Sequence, residues 1–247
     1  MTTIFAGLPF YDSITKQDKN RSHSKIPFYC PTTHLPPFII CDDIGHAHGT
    51  ILYYLVSCTG VNTEITAYFA AAPTIVATAT NFYVIYDGAA LSTSLPRGTY
   101  YLRAAGVGGY IYHSEYFVVT GMPSGEWMKL EFSNTTDLGD IPYSQGVKQI
   151  VYFNTKMNYP LNEYIEVGEE KDGEFIAEKL VIKYLFRISD YVGRALHRVL
   201  VRLPQHDTIT ITDEVGNTYT PAVGNAILST SDWLNFETCH IVIQFNE

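Results

Sequence analysis

The sequence predicts a mainly β protein made of two β-rich domains. The chain of 247 residues is longer than one small domain needs, and its aromatic content of 14% lies mostly in short runs with β-branched residues. Turn signals recur between these runs. Apolar residues make up 46% of the chain and charged residues only 17%, so a packed core is expected and wholesale disorder is not.

The charge balance and the cysteines restrict the class of protein. The 16 Lys+Arg against 25 Asp+Glu give a formal charge of −9, which argues against sequence-specific nucleic-acid binding. No run reaches the roughly 18 apolar residues of a membrane span, and residues 1–11 lack the pattern of a secretory signal. Four cysteines without a C-x-x-C pair are predicted to be reduced and mostly buried. We therefore expect synthesis in a cytoplasm and no membrane partner.

The first element in chain order is an extended arm over residues 1–37. Its polar run at residues 16–25 has neither helical nor strand periodicity, and five prolines interrupt the surrounding sequence. Two interpretations stay open. The arm is a frayed terminus, or it becomes ordered only against a neighbouring subunit.

Residues 38–122 are predicted to form a compact antiparallel β-sandwich of immunoglobulin type. Turn signals such as Asp87-Gly88 and Gly108-Gly109 separate the strands at short intervals. The pattern is clearest in a hairpin that runs through this second, glycine-rich turn. The predicted strands are residues 38–41, 50–57, 64–69, 82–86, 99–104 and 110–119.

Residues 126–247 are predicted to form a second β-sandwich, flanked by one helix, after a linker at Gly121–Gly125. A strand is expected at residues 148–153, and a long alternating strand covers 180–188. The apolar period then changes to 3.6, which predicts a helix over 191–201 with Asp190 as its amino-terminal cap. The turn 213–217 joins two short strands, residues 208–212 and 218–220, and residues 239–245 form the last strand.

Motifs for catalysis or metal binding are weak. His46 and His48 lie beside carboxylates, but no third ligand has a supporting spacing, so a polar hairpin loop is the favoured interpretation. His206 and Asp207 are neighbours, yet no motif places a nucleophile near them. The sequence therefore predicts no enzyme, no catalytic residue, no cofactor and no metal site.

The charge layout predicts a subunit interface. Residues 163–174, interpreted as an acidic loop, hold six acids and one lysine, whereas residues 187–202 hold four arginines and one acid. Docking of the acidic loop on the basic helix face of the next subunit gives a heterologous contact that can close into a ring. Alternatively, both are solvated faces or pair within one subunit. The candidate interface residues are Glu166, Glu169, Glu170, Asp172, Glu174, Arg187, Arg194, Arg198 and Arg202.

Five short stretches carry a family resemblance: residues 9–12, 95–102, 114–117, 166–175 and 203–207. In these stretches the chain resembles virion structural proteins of phages and prophages that infect gut Bacteroidales, including the crAss-like group. The element order of residues 126–247 is also similar to the tail-tube fold of tail tube, distal tail and head-completion proteins. The additional first domain departs from a minimal tube subunit and favours a distal tail, collar, hub or baseplate component.

The resemblance implies a non-enzymatic protein of the virion tail, made in the host cytoplasm, that forms a homo-oligomeric ring and contacts other tail proteins. DNA would pass through the ring, and a net negative charge is compatible with such a channel. The alternative is a carbohydrate- or receptor-binding β module with tyrosine stacking faces, although alternation buries about half of these side chains. The tyrosines concerned are Tyr53, Tyr54, Tyr83, Tyr86, Tyr100, Tyr101, Tyr110 and Tyr112.

Overall fold

The computed structural model divides the chain into two compact units. One consists of residues 1–122 and 133–152, and the other of residues 123–132 and 153–247. The described residues are mainly β, as the sequence predicts, and they include no α-helix. They are residues 10–12, 28–43, 50–79, 81–106, 111–138, 143–158, 164–171, 174–193, 203–220, 227–234 and 238–246.

Ten strands of the first unit form two sheets. They are β1 (Phe10–Asp12), β2 (Phe28–Pro31), β3 (Phe38–Asp43), β4 (Ile51–Ser57), β5 (Asn62–Glu64), β6 (Thr74–Ala77), β7 (Asn81–Tyr86), β8 (Gly98–Gly106), β9 (Ile111–Ser114) and β10 (Phe117–Thr120). In the seven-stranded sheet, β4 pairs with one edge of the central strand β8 and has β5 outside it, while β9 and β10 share the other edge. The three-stranded sheet has the order β3-β7-β6.

One apolar core takes side chains from both sheets. Leu102 of β8 and Phe117 of β10 are fully buried in the same cluster as Phe38 of β3 and Val84 of β7. Alternate residues along each strand point to this core, as the period of two requires. The hydroxyl of Tyr112 also donates a hydrogen bond to the Asp42 carboxylate, which links β9 to β3. The first unit is therefore sandwich-like.

The three-stranded sheet has a smaller apolar cluster on its other face. Ile85 of β7 is buried there with Tyr143 and Val147, and Val76 of β6 and Ile39 of β3 pack against it. A 3-10 turn at Tyr143–Gln145 presents this tyrosine to the sheet. The segment after residue 133 therefore completes the first unit.

Parts of the predicted arm belong to this unit. β2 pairs in parallel with β10, and β1 pairs antiparallel with β9. Cys30 and Leu35 are in the core, with 0% and 1% of their surface exposed. The backbone N–H groups of Leu91 and Leu95 donate to carbonyls of the connection that follows β2. Residues 28–37 are thus held by contacts within their own chain.

The predicted strand at residues 64–69 is wrong. β5 ends at Glu64, and Thr66–Tyr68 form a 3-10 turn. Ile65 is fully buried, and its N–H donates to the carbonyl of Tyr53 at 2.8 Å. The N–H of Tyr53 donates to the hydroxyl of Thr66 at 2.9 Å, so a side chain is the acceptor where the strand gives way to the 3-10 turn.

The predicted strand at residues 110–119 is two strands, β9 and β10. At the break, the N–H of Leu102 donates to Oγ of Ser114 at 2.8 Å. In a continuous ladder the acceptor would be a backbone carbonyl. The same hydroxyl donates to the carbonyl of Glu115 at 2.8 Å. A side chain therefore satisfies the buried N–H group at the break.

The strands that follow in the described residues are β11 (Met128–Ser133), β12 (Gln149–Phe153), β13 (Met157–Asn158), β14 (Tyr164–Lys171), β15 (Glu174–Gly193), β16 (Thr208–Thr212), β17 (Thr218–Tyr219), β18 (Ile227–Leu234) and β19 (Thr238–Asn246). The longest of them is β15, with 20 residues. It pairs with β13, β14 and β19, and β18 lies outside β19. β11, β16 and β17 are neighbours in that order.

The predicted helix over 191–201 is wrong at its beginning. Asp190 lies inside β15 and caps no helix there, and Val192 and Gly193 pair with β19. A register shift between Ile188 and Val192 lets the strand continue through the change of apolar period. Residues 194–201 lie outside the described residues.

The prediction of an acidic loop at residues 163–174 is also wrong. β14 covers most of it and pairs with β15, so that Glu170 is opposite Phe175 and Lys171 is opposite Glu174. Residues 172–173, between the two strands, lie outside the described part. The acidic residues therefore belong to a β-hairpin, because pairing with the long strand outweighs the low β preference of glutamate.

The turn between β16 and β17 is confirmed and has a clear cause. The Asp213 carboxylate accepts hydrogen bonds from the N–H groups of Val215 and Asn217 at 3.1 and 2.7 Å, and from the hydroxyl of Tyr219 at 3.2 Å. Gly216 has a φ of +97°, which favours glycine. Asp213 therefore organises the turn of this hairpin.

Candidate functional site

The predicted interface residues are only partly described. Glu166, Glu169 and Glu170 lie in β14, and Glu174 begins β15. Arg187 lies in β15 opposite Val242, so the backbone register does not pair it with an acidic residue. The other four, Asp172, Arg194, Arg198 and Arg202, lie outside the described residues.

A different group of polar and aromatic side chains lies on the outer face of the seven-stranded sheet. Leu102 and Ala104 of β8 face the core, so Tyr101 and Arg103 of the same strand face outward. The register places Tyr54 and His113 on either side of Arg103 in one row. We call Tyr54, Tyr101, Arg103, His113 and Tyr116 the outer-face cluster.

Arg103 is at the centre of this cluster. Its guanidinium carbon lies 4.4 Å from the ring centroid of Tyr54, a cation–π contact worth about 0.5–2 kcal/mol. Its Nε atom is buried and has no hydrogen-bond partner in the described part of the chain. The charge is likewise not matched by a carboxylate among those residues. The stack holds the guanidinium in place and leaves donor capacity for a ligand.

Three rings extend the cluster beside Arg103. The rings of Tyr101 and His113 meet edge to face at 5.6 Å, and those of Tyr101 and Tyr116 at 5.4 Å. Burial and the nearby Arg103 charge lower the pKa of His113, which favours the neutral imidazole. Tyr116 is 37% exposed and forms the outer end of the group. The arrangement offers aromatic surface next to a cation.

The tyrosines named from the sequence divide between core and surface. Tyr53, Tyr86 and Tyr112 are buried, and Tyr83 and Tyr100 pack against the apolar clusters. Tyr54 and Tyr101 belong to the outer-face cluster, and Tyr110 lies outside the described residues. Burial also raises the pKa of the Tyr53 phenol.

Sequence reasoning missed the remaining three members, Arg103, His113 and Tyr116. The period of two through the predicted hairpin is the signal that places Arg103 and His113 on the face of Tyr101.

The histidine and carboxylate pairs considered for chemistry form no site in the described residues. His206 is 2% exposed and packs edge to face on Phe132 at 4.7 Å, so it is a core residue. The Asp42 carboxylate accepts the Tyr112 hydroxyl, and His46 and His48 lie outside the described part. No group of three or more His, Cys, Asp or Glu side chains that could hold a metal ion occurs among the residues described. The same residues include no helix long and apolar enough to cross a membrane.

Comparison of the chain with protein-family models, with curated proteins and with solved structures found no match.

Proposed function

We propose that this protein is a non-enzymatic structural protein of a phage virion, a ring-forming tail component such as a distal tail, collar, hub or baseplate subunit. In this proposal the first unit is an immunoglobulin-like sandwich, and the second is a tail-tube-like domain. Subunits contact one another and other tail proteins around the tail channel. The observation that carries the proposal is an open sheet edge. Among the described residues the three-stranded sheet of the first unit ends at β6, which contains neither a charged residue nor proline.

Open edges support assembly for a physical reason. A terminal strand presents unpaired backbone N–H and C=O groups, and these can pair with a strand of another chain. Repeated contacts of modest strength around a closed ring add avidity that no single contact has. The acidic hairpin of β14 and β15 supplies a second, electrostatic contact in the proposed ring, toward arginines in residues 187–202.

Mass measurement tests the proposal. Size-exclusion chromatography with light scattering, followed by electron microscopy, should show a discrete ring of the purified chain. Charge reversal with E169K/E170K should reduce the assembled fraction, and adding R194E/R198E to the same chain should restore it. The control E64K/E126K makes the same change of charge at two glutamates elsewhere in the chain, both of them exposed. A chain that stays monomeric at high concentration contradicts the proposal, and an unchanged mass in E169K/E170K removes the electrostatic contact from it.

A second candidate function, binding of a carbohydrate receptor, is favoured by the outer-face cluster. Aromatic faces stack on the apolar faces of sugar rings, and a guanidinium donates hydrogen bonds to hydroxyl or carboxylate oxygens. Because the charge of Arg103 is unmatched in the described residues, acidic sugars should bind more tightly than neutral ones.

Titration with glucuronic-acid and glucose oligosaccharides, followed by NMR, tests this candidate. The Tyr54→Leu variant should lose binding because the ring under the guanidinium is removed. The matched variant Tyr54→Phe keeps the ring and should keep binding. Equal affinities of Tyr54→Leu and the wild type would exclude the outer-face cluster as the binding site.

A further inference from the structure

The edge strand β6 differs from the other terminal strands of the first unit. β1, β3 and β5 contain the carboxylates of Asp12, Asp42 with Asp43, and Glu64, and β2 contains Pro31. Charges and proline within an edge strand oppose pairing with another chain. β6, with the sequence Thr-Ile-Val-Ala, contains neither. Among the described strands that end a sheet of this unit, β6 alone lacks such protection.

The sequence around β6 is also uncharged. No Asp, Glu, Lys or Arg occurs between Glu64 and Asp87, whereas the whole chain has a net charge of −9. Two copies repel each other through their net charge, and the repulsion is weakest where a region without charge faces its own copy. The charge distribution therefore favours approach of a second copy at this edge over the other edges of the unit.

The hydrogen-bond pattern of the β6–β7 hairpin defines the free groups of β6. The N–H of Thr78 donates to the carbonyl of Asn81 at 2.7 Å, so these two residues form a hydrogen-bonded pair. The register continues with Ala77 opposite Phe82 and Val76 opposite Tyr83. Because hydrogen-bonded and non-hydrogen-bonded pairs alternate, the N–H and C=O groups of Ile75 and Ala77 point away from β7. These groups face the open edge.

The exposed side chain at this edge is apolar. Ile75 is 51% exposed, although its cross-strand neighbour Val84 is fully buried in the core. Ile75 therefore lies at the margin of the core-facing side of the sheet. A strand added outside β6 would extend this face and cover the isoleucine, which removes apolar surface from water.

We propose that two copies of this chain pair through β6 in antiparallel orientation, with Val76 on the two-fold axis. Ile75 of each copy is then opposite Ala77 of the other, and the two pairs form about four backbone hydrogen bonds. Thr74 is opposite Thr78 of the partner, a favourable cross-strand pair. A register centred on Ile75 instead would place Ala77 opposite Pro73, which has no N–H group. The two sheets join into one six-stranded sheet across the dimer.

This contact adds detail to the proposed function. It rests on that function in one respect, because both require copies of the chain to associate. It identifies the second copy as the partner of one particular edge. A two-fold contact of this kind differs from the head-to-tail contact proposed for the charged residues, so the two can be separated experimentally.

Disulfide trapping tests the register. In the C41S/C58S background, which removes two exposed thiols, the Val76→Cys variant should form a covalent dimer under mild oxidation, because facing residues of a non-hydrogen-bonded pair have Cα atoms about 4.5 Å apart. The Thr74→Cys variant lies on the same strand and the same face but has Thr78 as its partner. Residue 74 of one copy is about 13 Å from residue 74 of the other, so this variant should run as a monomer on a gel without reducing agent. Equal crosslinking of the two variants, or none in Val76→Cys, overturns the proposal.

Blocking of the edge gives an independent measurement. Ala77→Pro removes an outward N–H group without removing a hydrogen bond to β7, and Ile75→Lys adds a charge at the edge. Both variants should lose the contact through β6, so the measured mass should fall. The circular-dichroism melting curve of each variant should stay cooperative. The control Val61→Lys makes the same charge change at a valine that is 62% exposed and distant in sequence from β6.

The outcomes separate this inference from the proposed function. If the wild-type chain assembles and the two edge variants assemble equally well, pairing through β6 is excluded and ring formation stands. If Val61→Lys lowers the mass as much as Ile75→Lys, the effect is one of charge and the β6 contact is also excluded. A wild-type chain that is monomeric at all concentrations rejects both.

Discussion

Replacing Ser114 by alanine tests whether its hydroxyl stabilises the break between β9 and β10. The Ser114 hydroxyl accepts the N–H of Leu102, and both residues are buried. Alanine removes the acceptor and leaves the N–H of a central strand without a partner. Pairing of β8 with β4 on the other side is unaffected by the change, so the effect should be local in origin.

The expected magnitude follows from the lost hydrogen bond. A buried donor left unsatisfied costs about 1–3 kcal/mol. With a urea slope of about 2 kcal/mol/M, the unfolding midpoint of the first unit should fall by about 0.5–1.5 M. The matched change Ser57→Ala removes a hydroxyl that accepts the N–H of Val61 at an exposed site, where water can replace it. This control should cost about 0.5 kcal/mol or less.

The assay must report on the first unit alone. Both tryptophans, Trp127 and Trp233, belong to the second unit, so tryptophan fluorescence does not follow the relevant transition. Pulsed hydrogen exchange along a urea series, read by mass spectrometry on peptides from residues 98–120, follows it directly. A loss of stability in Ser114→Ala no larger than that in Ser57→Ala would refute the assigned role of the hydroxyl.

Three further predictions concern titration and reactivity. Burial acts to raise the pKa of Asp213, but hydrogen bonds from Asn217, Val215 and Tyr219 outweigh it and hold that pKa below its ordinary value. The second unit should therefore lose stability as the pH falls below about 4, and Asp213→Asn should flatten this dependence in acid melting curves. Burial raises the pKa of the Cys30 thiol, so iodoacetamide at pH 8 should alkylate the exposed Cys41 and leave Cys30 unmodified in the native protein, as peptide mass spectrometry would show. In Arg103→Met the pKa of His113, measured by NMR, should rise because a nearby positive charge is removed.

Local patterns predicted the strands that alternate cleanly. β16 has the alternation of buried and less buried residues that its sequence Thr-Ile-Thr-Ile-Thr indicates, and the turn at Asp213 has the residues that such a turn requires. In these segments the burial of one face and the local preference of the backbone agree, so a single sequence was sufficient to predict them.

The same local patterns could not predict pairing between strands that are distant in sequence. β2 ends in Pro31 and has no alternation to mark it, and it becomes a strand because β10, far along the chain, pairs with it in parallel. The amphipathic period after Asp190 indicated a helix, whereas pairing with β19 carries the strand through to Gly193. Both pairings involve residues that no sequence window contains. β14 was missed for a local reason, because it pairs with β15 in a hairpin but its glutamates have a low β preference.

The candidate site was predictable only in part, for a related reason. The sequence indicates Tyr54 and Tyr101 as candidates because tyrosines in strands can present stacking faces, but Arg103 joins them only through the register of three strands. The stacking of its guanidinium on Tyr54 is a cross-strand contact. Predicting it requires the strand order in addition to the residue types.

The interleaved course of the chain has a consequence for how the molecule can be divided. The chain leaves the first unit after Met122 and re-enters it at Ser133. A fragment that stops at residue 122 lacks Tyr143 and Val147 and exposes Ile85 to water. Such a fragment should be rescued by adding a separate peptide of residues 133–152, in the manner of split-protein complementation. Recombinant pieces of this molecule must therefore be chosen by spatial membership, since no single cut in the chain separates two intact halves.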